Sequence, residues 1–421
     1  MKYPEALLHF AWKFKTYNQQ ALTLVGGEAL EVIYPGIHNR NAGPDFLNAR
    51  LKIAGTSWAG NVEIHRLSSE WSRHGHDRDP AYKNVLVHVV EQHDADIRDI
   101  NGRILPTLEL KGRLPAELFN RWEQMSMQRH PIPCRELGQP NALIARSWLD
   151  RMLSERMEAR AERIYALLKQ NRDNWQETFY QWFALAFGFH VNSQPFEMLA
   201  RSLPLQILLK YTQSRFQLEA LLFGQAGFLN EHTEEAYPQS LQNEYQFLKN
   251  KYQLRPLDAH IWKFLRMRPA NFPTVRIAQL AACMAVFPGL LQSLVDGEEI
   301  PDFTLAQVAP YWETHYHFKR ASQRSSAHLG KTSANILLNN VIAPFLLVYG
   351  RHTGQSDLVE KALDIFSKTK PEHNRITLLF KDFFPEELNG GDTQALLHLK
   401  ENYCDQLRCT DCQIGQYLLS K

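Results

Sequence analysis

Alternating apolar and polar residues mark the first hundred positions of the chain, and helical periodicity takes over after about residue 141. Leu47, Ala49, Leu51 and Ile53 alternate with Asn48, Arg50 and Lys52, which predicts a strand opened by Gly43-Pro44-Asp45 and running to about Ile53. Ala54-Gly55 then signals a turn. A second strand over 57–65 puts Val62 and Ile64 on one face and Asn61, Glu63 and His65 on the other, and the two strands should pair as an antiparallel hairpin. A strand over 84–91 and another over 104–110 extend the sheet. Ahead of the hairpin, residues 4–17 read as a helix burying Leu7, Leu8, Phe10, Ala11 and Phe14, followed by short strands over 21–25 and 30–34 about Gly26-Gly27. Asp79-Pro80 starts a short helical turn through Tyr82.

Beyond residue 141 the spacing predicts helices over 142–172, 174–187, 197–213, 235–252, 275–287, 334–349 and 355–367, punctuated by prolines and without a repeat of fixed period. Arg156, Arg160 and Arg163 share a helix face. Their spacing fits a phosphate-binding stripe, but a solvated face paired with Glu155, Glu158 and Glu162 accounts for it more simply. The resulting fold class is α+β: a mixed-sheet domain over 1–115, a linker over 116–140 and a helical domain over 141–421.

With 421 residues, 44% hydrophobic and 22% charged, the chain can bury a sizeable core. Its formal charge of +2 neither marks nor excludes a nucleic-acid binder. No stretch reads as apolar for long enough to cross a bilayer, and the N-terminus lacks the order of a signal peptide, so a cytoplasmic protein with no membrane partner is expected. Nothing in the pattern names a protein partner. Of the five cysteines, Cys404, Cys409 and Cys412 crowd together near the C-terminus. In a cytoplasmic chain such clustering points to metal or redox chemistry, and a zinc ion or an iron–sulfur cluster there could recruit Cys134 as a fourth ligand. Cys283, inside an apolar helix, reads as core.

Charged and polar residues concentrate between Asn39 and His88. Folding the hairpin about Ala54-Gly55 brings Asp45 beside the Glu63–His65 segment, and two carboxylates there could hold magnesium or manganese. If Ile53 pairs with Thr56, however, Asp45 points to the face opposite Glu63, unless a bulge or irregular backbone at Gly43-Pro44 re-aims it. The loop over 68–80 adds His74, His76, Asp77 and Asp79. His65, His74, His76, His88 and His93 could build a zinc or manganese site, since imidazole suits transition metals, but none of them forms a helical His-Glu-x-x-His pair. His76 and Asp77 are the strongest candidates in the loop. Asn39 and Asn41 read as turn formers.

Pro44-Asp45, seventeen intervening residues and Glu63-x-His65 resemble the signature of the PD-(D/E)xK nuclease superfamily. The resemblance implies a restriction-endonuclease-like core and hydrolysis of phosphodiester bonds in DNA or RNA. It implies metal ligands at Asp45 and Glu63, with the third triplet residue orienting or deprotonating the attacking water. That residue is His65 in place of the superfamily's lysine, so no permanent positive charge stands beside phosphate. A further acid can come from the first helix in that superfamily. Glu5 is the acidic residue available, although a carboxylate at a helix start is explained by the helix dipole. A catalytically inactive scaffold binding nucleic acid or protein, or a metallohydrolase that uses the histidines directly, are the alternatives. Over nearly its full length, in phrases such as Asn41-Ala-Gly-Pro-Asp-Phe46, Trp58-Ala-Gly-Asn-Val-Glu-Ile-His65 and Leu222-Phe-Gly-Gln-Ala-Gly227, the chain resembles the bacterial family called domain of unknown function 2851.

Overall fold

A computed structural model describes residues 4–39, 41–127, 130–189, 191–318, 320–323, 326–381, 383–384 and 387–421. Helix α1 (Glu5–Phe14) buries Leu7, Leu8, Phe10, Ala11 and Trp12 and packs against β4 of the sheet. It stops three residues earlier than its apolar pattern suggests, because Lys15 turns left-handed at φ 53° and closes the end of the helix. The strands are β1 (Leu30–Tyr34), β2 (Ile37–His38), β3 (Phe46–Ile53) and β4 (Thr56–Leu67). After the short helix α2 (Glu70–Arg73) and a 3-10 turn at Pro80–Tyr82 come β5 (Val85–Gln92) and β6 (Thr107–Glu109). Residues 21–25 do not form the expected strand. A single bridge, Thr23 to Ala29, stands in its place, and the Val25 N–H is spent on the Thr107 carbonyl.

The sheet runs in the order β1-β3-β4-β5-β6, with β2 also paired to β3. β3 is antiparallel to both of its neighbours, β1 and β4, whereas β5 lies parallel to β4 and β6 parallel to β5. The fold of this part is therefore mixed α+β. Val62, Glu63, Ile64 and His65 are all buried, so both faces of β4 are covered.

The β3–β4 register carries the feature that matters most for the site. Ile53 pairs with Thr56 and Ala49 with Gly60, but Phe46 pairs with Val62, so β3 holds one extra residue between Phe46 and Ala49. Asn48 absorbs the insertion in a left-handed conformation, φ 56°, and its N–H donates to Asn61 Oδ1 at 3.2 Å. A bulge of this kind moves every residue beyond it to the other face. It brings Asp45 onto the side of Glu63.

By contacts, Met1–Trp148 with Leu379–Glu386 and Leu399–Lys421 make one compact unit, and Leu149–Leu378 with Glu387–His398 make another. The first also contains α3 (Ala116–Ser126). The helices that follow are α4 (Ala142–Gln170), α5 (Trp175–Ala186), α6 (Ser193–Ser202), α7 (Leu205–Leu208), α8 (Arg215–Gln225), α9 (Ala236–Tyr252) and α10 (Pro273–Val286). The single helix expected over 197–213 is broken at Pro204 into α6, α7 and a 3-10 turn. From Pro273 to Met284 every residue of α10 is buried, as befits a helix at the centre of a core. Gly224 of α8 is required by close approach, since a Cβ there would meet the Tyr245 ring at 2.1 Å.

Neither reading of the arginine face of α4 describes what those side chains do. Arg156 donates to Gln394 at 3.0 Å, Arg160 to the Asn339 carbonyl at 3.0 Å and to Asn340 Oδ1 at 2.5 Å, and Arg163 lies over the Trp182 ring. The first two join a buried polar network instead of binding phosphate. The segment Lys331–Thr353, which includes a π turn at Leu338–Ile342, is long and apolar enough to cross a bilayer by length and composition, contrary to the sequence reading. Of its most apolar window 67% is buried inside the protein, the pattern of a core helix.

Two consequences follow for stability. Asn48 is exposed, so its substitution reads backbone strain alone: Asn48→Val should cost about 1–2 kcal/mol and lower Tm, while Asn48→Gly should leave Tm unchanged or raised, in thermal melts. Glu219 is 1% exposed, and although it accepts a 2.7 Å hydrogen bond from the Tyr237 hydroxyl, burial pushes its carboxyl up to about 7. Its stabilising contribution is thus complete below the ordinary glutamate range near 4.5 and is lost as pH rises through 7. Calorimetric scans from pH 5 to 8 should show a smaller loss of Tm for Glu219→Gln than for wild type.

Candidate metal centre

Three local devices build the site. The first is the 39–45 loop, where Asn39 Oδ1 accepts from the Asn41 N–H at 2.9 Å and Asn39 Nδ2 donates to the Pro44 carbonyl at 3.0 Å. This turn chemistry delivers Asp45 to the mouth of the hairpin. There Asp45 and Glu63 hold each other's strands. The Asp45 N–H donates to Glu63 Oε2 at 3.0 Å, and the Ile64 N–H donates to Asp45 Oδ2 at 2.9 Å.

The second device is α2. The Glu70 carboxylate accepts from the N–H groups of Arg66 at 3.0 Å and Leu67 at 3.2 Å, which sets where the helix leaves β4. Trp71 is fully buried against Val85, Ile97 and Leu105, with its indole N–H donating to the Arg98 carbonyl at 2.9 Å. The helix then closes in a Schellman arrangement: Gly75 has φ 78°, its N–H bonds the Ser72 carbonyl, and the His76 N–H bonds the Trp71 carbonyl. A left-handed glycine between two histidines is what folds His74 and His76 back over β4. The third device is the Asp79 cap, whose carboxylate accepts from the Ala81 N–H at 2.9 Å and starts the turn that stacks Tyr82 on the His76 ring, centroids 3.8 Å apart.

The donor atoms of His65, His74 and His76 all lie within 4.8 Å of one another. Glu63 Oε1 stands 3.5 Å from His65 Nε2 and 3.3 Å from His76 Nε2, while His74 Nδ1 is 3.2 Å from His65 Nε2. Behind them His65 Nδ1 makes a 2.8 Å hydrogen bond with Nε2 of the fully buried His88, which fixes the ring orientation and leaves Nε2 directed at Glu63. His74 is exposed, so the cluster is open to solvent on that side.

From α1, His9 Nε2 comes within 3.3 Å of Asp45 Oδ2 and 3.8 Å of Glu5 Oε1. Glu5 thus reaches the site's border through His9. Asp77 turns to Arg78, with Oδ2 3.7 Å from Nε. His93 pairs with Asp96 at 3.3 Å. The structure therefore gathers Asp45, Glu63, His65, His74 and His76, and adds His9, which sequence reasoning passed over. The one available signal for His9 was its position one turn after Glu5 on a helix otherwise packed on its apolar side.

Two carboxylates meet at the centre of the site, with the buried imidazoles of His65 and His88 behind them. Burial, and then the charge of Asp45, raise the Glu63 carboxyl against the hydrogen bonds that favour its ionised form. Burial, reinforced by His76 and His74, pushes His65 down to about 4, and burial with His65 behind it holds His88 well below the usual histidine range. His9 moves the other way. Burial opposes its charge, but the Asp45 carboxylate, Glu5 and Glu63 together raise it. Tyr82 is pushed up to about 12 by burial and by the charges of Glu63 and Asp45. Imidazole must be neutral to ligate, and a buried carboxylate pair is relieved by a cation, so this donor set suits a divalent ion. Three imidazoles with a carboxylate favour manganese or zinc over magnesium.

Comparison with curated proteins and with solved structures finds no match. A family model described as "Protein of unknown function (DUF2851)" matches residues 5–375, nearly the whole chain. The chain belongs to that family.

Proposed function

We propose that this protein is a divalent-metal-dependent hydrolase of phosphodiester bonds in nucleic acid, with its centre at Asp45, Glu63 and the neighbouring histidines. The observation that carries the reading is the β3 bulge, which puts Asp45 opposite Glu63 at one end of the sheet with His65, His74 and His76 beside them. The succession of α1, three antiparallel strands, a short helical connection and a parallel strand, with Asp45 at the entry to β3 and Glu63-x-His65 on β4, supports a restriction-endonuclease-like core. Nucleic acid is the partner this implies.

Asp45 and Glu63 would supply the anionic ligands, and His65, His74 or His76 the imidazole that selects manganese or zinc. A bound ion there contributes Lewis-acid activation of water and of a phosphoryl oxygen. The chain's own residues do the rest. His65 stays neutral through the physiological range, so it can accept a hydrogen bond from the attacking water and orient it, without the positive charge a lysine would bring. His9, whose charged form Asp45 favours, is placed to offset carboxylate charge when a phosphate approaches. The exposed side of the cluster at His74 leaves room for substrate.

A second reading has its own observation. The tight His65–His74–His76 trio would serve a metallohydrolase that needs no Asp45. The two readings separate by mutation. With manganese, the wild-type chain should cleave single-stranded DNA, duplex DNA or RNA. Asp45→Asn and Glu63→Gln should each lower the rate more than about a hundredfold, the order of loss when one charge-handling group leaves a site of this type. Cleavage that survives Asp45→Asn but is abolished by His74→Ala would shift the assignment to the histidine centre. A folded wild type that neither cleaves nor binds any of the three would remove the nuclease reading. As a separate check, His74→Ala should weaken manganese or zinc binding in a chelator competition by about 10–100-fold, with Tm little changed.

A further inference from the structure

Four of the five cysteines converge in the first unit, although all of Leu149–Leu378 lies between Cys134 and the others in the chain. Cys134 precedes the 3-10 turn Arg135–Leu137, Cys404 ends a π-helical turn Lys400–Cys404, Cys409 lies in the turn that follows, and Cys412 caps the terminal helix Gln413–Ser420. All six pairings of these four thiols are close enough for the charge on one sulfur to be felt at the other. None of the four is in a disulfide.

The backbone around them is built tightly. Leu407 turns left-handed at φ 51°, the Arg408 N–H reaches back to the Tyr403 carbonyl at 2.9 Å, and the Cys412 N–H bonds the Arg408 carbonyl at 3.1 Å. Gly415 lets the terminal helix lie directly on this loop, since a Cβ there would stand 2.3 Å from the Cys409 carbonyl oxygen. Cys412 stands at the N-terminal end of the terminal helix, where the helix dipole favours a thiolate.

The spacing also bears on which metal. A tetrahedral zinc with bonds of about 2.3 Å holds its sulfurs about 3.8 Å apart. Among the described residues no three cysteine sulfurs lie within 4.8 Å of one another, a spacing that the histidine trio does meet. In a polynuclear cluster the four thiolates are shared among several irons, so they stand farther apart than around one ion. Cys404, Cys409 and Cys412 have the C-x4-C-x2-C spacing found in one class of iron–sulfur protein, with the fourth cysteine remote.

We propose that Cys134, Cys404, Cys409 and Cys412 hold an iron–sulfur cluster that clasps the C-terminal segment to the segment around Cys134. The cluster closes the long excursion of chain between them. A link of this kind stabilises chiefly by restricting the unfolded chain, and more so the longer the loop it closes. Its role is independent of the chemistry proposed for the histidine site.

The test uses the full chain, purified without oxygen and also after reconstitution with ferrous iron, sulfide and a thiol reductant. It should carry about two or four irons with matching acid-labile sulfide, and a visible absorption that dithionite bleaches. Cys134→Ser and Cys412→Ser should each lose most of that iron and sulfide, and Cys283→Ser should retain them. The wild-type metal content is decisive even if a cysteine variant fails to fold. One zinc per chain without sulfide, or no iron uptake on reconstitution, would overturn the proposal.

Discussion

A single extra residue in β3 governs the geometry of the candidate centre. Without the bulge at 47–48 the antiparallel register set by Ile53 and Thr56 would carry Asp45 to the face away from Glu63, and the two carboxylates would be separated by the sheet itself. With it, Asp45 and Glu63 meet, and each accepts a hydrogen bond from the other strand's backbone. The left-handed Asn48 is the conformational cost of this placement. Side-chain-to-backbone bonding from Asn61 and the tolerance of asparagine for that conformation offset it.

The histidines are arranged by equally local means. α2 is only one turn long, yet Trp71 anchors it and Gly75 ends it so that His74 and His76 arrive over His65. His88, on the neighbouring parallel strand and in register with Glu63, orients His65 from behind. Burial disfavours the charged forms of His65 and His88, whereas the Asp45 carboxylate favours that of His9 against the cost of its burial, so imidazoles of one site shift in opposite directions.

Much of the local structure was legible in the sequence. Alternation at 47–53 and 57–65 located the hairpin, and the same reading identified a conflict between Asp45 and Glu63 that either a bulge or irregular backbone at Gly43-Pro44 could resolve. The residue that bears the bulge had no signature, because asparagine at 48 fits an alternating strand as well as a left-handed turn. Helical periodicity found α4, α5, α9 and α10 nearly residue for residue, and failed at 197–213, where Pro204 outweighs the apolar spacing. It also misjudged the arginine face of α4, since a charged residue at a helical position looks the same whether it meets water or, like Arg160, a buried amide network with Asn340 and Gln394. His9 was missed because its partner, Asp45, is far away in the chain. The return of residues 399–421 to the first unit rests on long-range contacts that no local pattern records.

The proposed centre depends on Asp45 and Glu63 together holding a divalent ion. Crystals of the protein soaked in manganese, with diffraction measured for the metal's anomalous signal, would test this most directly. A peak bonded to both carboxylates and to at least one of His65, His74 and His76 is expected. A peak held by the histidines alone, with Asp45 still bound to the backbone of β4 and to His9, or no peak in this region at a concentration that saturates binding in solution, would contradict it.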